Sequence, residues 1–154
     1  MAIVTRYSTA FQDPANLVAI DAVFAEGNDK VISALIPVVN GDSIASTYFV
    51  GRVPSSALIS PRSNIFATAN AGLTAVSLGF QNAPNALVNA ANIAAGGTFP
   101  ALSAVTIPNY SKRAWQLAGL ASDPGGMLTI IMTLGAAATV DSTIFAAIDL
   151  IKSL

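Results

Sequence analysis

Val31-Ile-Ser-Ala-Leu-Ile-Pro-Val-Val-Asn-Gly-Asp-Ser-Ile-Ala-Ser-Thr-Tyr-Phe-Val-Gly-Arg-Val53 reads as strand, turn, strand. Its first part, 31–38, is rich in β-branched residues and gives way to Asn40-Gly41-Asp42. Asn-Gly is the strongest short hairpin signal, because both residues tolerate positive φ. Residues 46–53 are then the expected partner strand. Pro37 has no N–H to give a ladder, which places it at a sheet edge or a bulge.

The chain on either side repeats the pattern of short apolar runs and turns, the spacing of an all-β sandwich. Residues 53–59 read as a strand end, a turn and a short strand, continued by 64–68. In 73–80, Thr74, Val76, Leu78 and Phe80 share one face, while Leu73, Ala75, Ser77 and Gly79 share the other. That is period-2 patterning with large residues inward. Residues 81–109 turn to Asn, Ala, Gly and Pro and predict a long connection with only a short strand at 86–88. Loops beyond about 12–15 residues are uncommon unless they have a function, so this is the first candidate contact surface. Residues 113–120, Asp123-Pro-Gly-Gly126 and 127–134 read as strand, turn, strand, with Leu128, Ile130, Met132 and Leu134 on one face. A closing strand spans 143–152, although Ile144, Ile148 and Ile151 also fit helical spacing. Near the start, Asp13-Pro14 would cap a helix ending near Gly27, but Val18, Ile20, Ala22 and Phe24 alternate, and strand is preferred. With no internal repeat, residues 1–154 form a single-domain antiparallel β-sandwich with little helix, and 1–16 an extended N-terminal arm.

Composition narrows the chemistry. The chain has no His and no Cys, and no charged residue from Ser63 to Ser111. Most enzymes need titratable side chains to move protons or attack carbonyls. Charged residues make up 10% of the chain, against about 25% in an ordinary soluble domain. A surface so poor in charge faces other protein or is wetted by Asn, Ser and Thr. Of the 53% hydrophobic residues, 29 are Ala. Net charge is −1, and the basic residues are scattered, with only Lys112 and Arg113 adjacent. Nucleic-acid binding usually needs a basic cluster, so none is expected. Mean hydropathy is +0.62, yet Asn and Pro break every stretch that could reach the 18 apolar residues of a membrane helix. The opening Met1-Ala-Ile-Val-Thr-Arg6 does not read as a signal peptide. Without Cys, stability comes from packing or assembly.

Each candidate site has a plainer reading. The carboxylates Asp13, Asp21, Glu26, Asp29, Asp42, Asp123, Asp141 and Asp149 sit mostly beside Gly, Asn or Pro, where Asp hydrogen-bonds turn backbone. No spacing favours two of them as a glycosidase pair. Asn28-Asp-Lys, Asn40-Gly-Asp and Asp123-Pro-Gly-Gly each supply at most two side chains, too few for a Ca²⁺ loop. Gly96-Gly97-Thr98 lacks the Lys of a phosphate loop. Ser46, Ser55 and Ser56 have no His to activate them. Trp115 with Arg113 and Tyr110, or with Tyr48, would make a sugar-stacking platform, but a lone Trp alternating with Leu117 reads as core. No catalytic, cofactor or metal residue is assigned.

Residues 41–59, Gly-Asp-Ser-Ile-Ala-Ser-Thr-Tyr-Phe-Val-Gly-Arg-Val-Pro-Ser-Ser-Ala-Leu-Ile, resemble a segment of small structural proteins from tailed-phage heads. The likeness lies in Gly-Asp at a strand entry and a Val-Pro-x-x-Ala-x-Ile turn at its end. Gly72-Leu-Thr-Ala-Val-Ser-Leu-Gly-Phe80 looks like the same family's Gly-x-Thr-x-x-x-x-Gly strand. Lys112-Arg-Ala-Trp-Gln-Leu-Ala-Gly119 and Ala137-Ala-Thr-Val-Asp-Ser-Thr-Ile144 look like its closing strands, with Ser142 standing where Gly is expected. In order, these segments cover most of 30–152. The resemblance is to capsid decoration (cement) proteins of jelly-roll type. It implies a virion structural protein on the capsid exterior, made in the host cytoplasm and bridging major capsid subunits. It also implies a homo-oligomer, dimer or trimer, with no enzymatic activity, cofactor, nucleic acid or membrane. The arm at 2–16 and residues 81–109 would contact shell or sister copies. A carbohydrate-binding module and a minor tail or neck component are the alternatives.

Overall fold

Strand β2 (Asp29–Val38) alternates without a break: Ile32, Ala34, Ile36 and Val38 turn inward, while Val31, Ser33, Leu35 and Pro37 face out. The computed structural model describes residues 2–8 and 29–151, and its strands repeat this division. They are β1 (Thr5–Tyr7), β3 (Thr47–Pro54), β4 (Leu58–Ile59), β5 (Asn64–Ala67), β6 (Val76–Phe80), β7 (Ala83–Ala91), β8 (Gly97–Pro100), β9 (Met127–Leu134) and β10 (Ser142–Ile151). One sheet runs β1-β3-β9-β6-β7; the other runs β2-β10-β5-β8, with β4 also pairing β10. All neighbours are antiparallel except β1, which lies parallel to β3. The molecule is an all-β sandwich. Among the described residues, no helix is long and apolar enough to cross a membrane.

The two inner faces meet in one apolar layer. Ile32, Ile36, Ile65, Ile144 and Ile148 from one sheet pack against Val50, Leu78, Phe80, Ile130 and Met132 from the other. Each large side chain buried this way contributes about 1.5–3 kcal/mol, so the interior is ample without disulfides. The expected faces of β6 and β9 hold in part: Val76, Leu78, Phe80, Ile130, Met132 and Leu134 are buried, but Leu128 is half-buried, and Leu73, expected to face out, is fully buried. Thr74 is exposed and precedes β6. The closing segment is strand and not helix, and Pro37 lies on an edge strand as its missing N–H requires.

Three expectations need correction. First, β2 and β3 are not a hairpin; they belong to different sheets. Two-residue hairpins favour type I′ turns, with positive φ at both central residues. Here the turn from Val39 to Asp42, closed by Asp42 N–H to the Val39 carbonyl, has positive φ at Gly41 (91°) but not at Asn40. That is the type II pattern. A second such turn, Ser43 to Ser46 with Ala45 at φ 70°, follows at once. Together they lift the chain from one sheet to the other.

Second, residues 81–109 are not mainly loop, because β7 and β8 lie within them. β7 bulges against β6, with register shifts after Val76 and Leu78 and Ala90 at φ 47°. That irregularity, with its Asn and Ala side chains, hides the period-2 signal. Third, 113–120 is not a strand. It contains a short helix, α1 (Ala114–Leu117), whose start is held by the Arg113 N–H donating to Gln116 Oε1 at 2.9 Å. Gly119 at φ 72° stops it in the left-handed conformation common just past helix ends. The proposed helix or strand around 13–27 lies outside the described residues.

Candidate interaction surface

The polar groups turned inward are consumed by structure. Asp42 is 3% exposed. Its Oδ1 accepts from Arg6 Nη2 at 2.9 Å, and its Oδ2 from the Tyr48 hydroxyl at 2.6 Å and the Val39 N–H at 2.9 Å. Burial by itself would raise its pKa, but Arg6, Tyr48 and Val39 outweigh it and hold the carboxyl below the usual value. Burial, then the Asp42 oxygen, push the Tyr48 phenol well above its ordinary range. This cluster pins β1 to the end of β3.

Asn70 does similar service between two loops. Its Nδ2 donates to the Val140 carbonyl and to Ser142 Oγ, and its Oδ1 accepts from the Gly72 and Thr139 N–H groups. Ser142, the departure from the family pattern, is thereby the acceptor for a buried amide. Asp123 accepts from the Ser55 hydroxyl and the Gly125 N–H, which lower its pKa. Asp141 accepts from the Asn40 N–H at 2.7 Å. The turn reading of these carboxylates is the observed one. Asp149 is half-buried on β10, and Asp29 opens β2; Asp13, Asp21 and Glu26 fall outside the described residues. Among the described residues no three His, Cys, Asp or Glu gather to hold a metal.

The sugar platform loses one of its three rings. Tyr48 is fully buried between the sheets and donates to Asp42, so it has no face to offer. Trp115 is half-buried on α1 with its indole N–H turned inward and unpaired. Tyr110 and Arg113 are exposed.

What remains is surface poor in charge. On the outer side of β2-β10-β5-β8, strand register aligns side chains in rows. Leu35, Phe145, Phe66 and Thr98 form one row; Ser33, Ala147, Asn64 and Pro100 form the next. Leu35 is 44% exposed and Phe66 41%, and the Phe66 and Phe145 rings stand 6.0 Å apart. At one end Pro37, Val39, Thr68, Asp141 and Thr143 line a shallow groove; at the other, Arg62 stands beside Asp149. The opposite sheet differs. Thr5, Thr47, Thr133 and Ser77 form a hydroxyl row, beside Tyr7 stacked on Phe49 at 5.0 Å. Ile3 and Ile107, outside the strands, are 70% and 82% exposed. Sequence reading missed the Leu35–Phe145–Phe66 row because it depends on which strands pair, although the outward parity of each residue was legible.

An all-β sandwich with neutral outer faces and no reactive cluster among its described residues is the class of protein this is. No family model matches the chain. No curated protein matches it either. Among solved structures, its fold is similar to a chain of the cyanophage Pam1 capsid asymmetric unit, with TM-score 0.56 and 14% identity over 82% of this chain and 86% of that one. It is also similar to a chain of the capsid of Ralstonia phage GP4, with TM-score 0.54 and 12% identity over 84% and 88%.

Proposed function

We propose that this protein is a decoration protein of a tailed-phage head, which binds the outside of the assembled shell and ties neighbouring capsid subunits together. The observation that carries this reading is the fold it shares with chains of two phage capsids, over more than four-fifths of each chain. The sheet orders β2-β10-β5-β8 and β3-β9-β6-β7 support the jelly-roll reading, in which two Greek keys fold over each other. Its work is mechanical: shape-complementary neutral surface in place of chemistry, with no catalysis. Several modest contacts on one rigid shell add through effective concentration, so each can be weak.

Among the described residues, Ile3, in the N-terminal arm, and Ile107, within 81–109, are the most exposed large apolar side chains. We assign them to the shell, and homo-oligomeric contacts to the sheet surfaces. The burial of Tyr48 leaves the carbohydrate reading one ring short of its platform. Mass spectrometry of purified particles of the encoding virus tests the proposal. It expects a copy number comparable with that of the shell subunit. A few copies per particle make it a tail or neck component instead, and absence rejects it.

A further inference from the structure

Resting on that reading, we infer that the outer face of β2, β10 and β5 is covered by the same face of a second copy of this chain, laid with its strands antiparallel to the first. The row Leu35–Phe145–Phe66 is exposed apolar surface in register across three strands. Contiguous exposed apolar surface on a protein marks an interaction site. Contacts between identical subunits are also the more apolar class of interface. The middle of the face carries no charge, so two copies meet there without like-charge repulsion.

Its ends settle the direction. Arg62 and Asp149 stand together at one end, whereas exposed Asp141 stands at the other. Parallel stacking would set Asp141 against Asp141. Antiparallel stacking brings each Asp141 to the Arg62 end of the other copy, twice by the two-fold axis of an isologous contact. The outer face of the other sheet also aligns Tyr7, Phe49 and Ile131, but there Ile131 is buried and a hydroxyl row runs alongside, and this contact leaves that face free.

Light scattering on the purified full chain, with no shells present, reads the contact. The expected mass at micromolar concentration is twice that of the 15.6 kDa chain. Phe66→Asp weakens association at least about thirtyfold, as loss of a hot spot does. Arg62→Glu and Asp141→Lys each weaken it about tenfold, since each disturbs two rim contacts, and the double variant recovers to within about threefold of wild type. Circular-dichroism melting confirms folding, and Leu35→Glu replaces Phe66→Asp if the latter unfolds. A monomer at every concentration, a trimer, a dimer indifferent to both face variants, or a charge-swapped double no better than the singles overturns the inference. A dimer that never enters particles defeats the proposed function and leaves this contact standing.

Discussion

Asp42 shows how one buried charge organises an end of the sandwich. Its carboxyl is held in the ionised form by Arg6, Tyr48 and Val39 against the cost of burial. A folded pKa below the unfolded one means the stabilisation is in place above the unfolded value, about 3.9. It disappears as pH falls from there through the lower folded value. Wild-type protein therefore loses stability below about pH 4 in a step that Asp42→Asn lacks. In neutral solution the variant is about 2 kcal/mol less stable, the worth of hydrogen bonds to a charged group. Urea midpoints measured against pH read both effects; Asp123, also lowered, titrates in both proteins and cancels in the difference. Gly72 poses the opposite constraint, because a Cβ there would overlap the Ala137 carbonyl oxygen and crowd Thr139. Backbone cannot retreat as a side chain can. Gly72→Ala is expected to cost at least about 3 kcal/mol, which chemical denaturation of the variant would expose.

Among the elements, β2 carries the clearest liability. Among the described residues it is an edge strand, ten residues long, and an unpaired edge invites another strand. Pro37 interrupts that edge. Pro37→Val should leave thermal stability within about 1 kcal/mol yet speed aggregation at elevated protein concentration, followed by light scattering; an unchanged rate would remove Pro37 from this role. β2, β3, β9 and β10 were legible because each alternates cleanly over a long run. What sequence could not supply was pairing. The Asn40-Gly41 signal is local, and whether it closes a hairpin depends on a second turn at Ala45, where no glycine announces the positive φ. α1 was misread because Trp115 and Leu117 mimic alternation; the Arg113 to Gln116 spacing, half of a capping box, was the signal present. The contact face itself was half legible. Outward residues could be named strand by strand, but their joining into a row required the order β2-β10-β5.

Taken as one body, the protein presents neutral surfaces where most soluble domains present charge. Association through such surfaces is governed by apolar burial and fit, with only the Arg62 and Asp141 ends adding an ionic contribution. Exposed ion pairs are screened by salt and worth little. Wild-type self-association should therefore change by less than about fivefold between 0.05 and 0.5 M NaCl, measured by sedimentation equilibrium. A change of a hundredfold would mean that charge, and not fit, drives the contact.

The pairing of β2 with β10 joins Asp29 to Ile151 and Val38 to Ser142, and β10 separates β2 from β5. The middle of that sheet is thus supplied by a strand that follows the other nine in the chain. During synthesis, β2 and β5 emerge early and wait without the strand that bonds them both. Contacts this distant in sequence also form slowly. The sheet accordingly closes only once β10 has been made, and the unfinished chain, with few charges to keep it apart from its siblings on a polysome, is the form most in need of a chaperone.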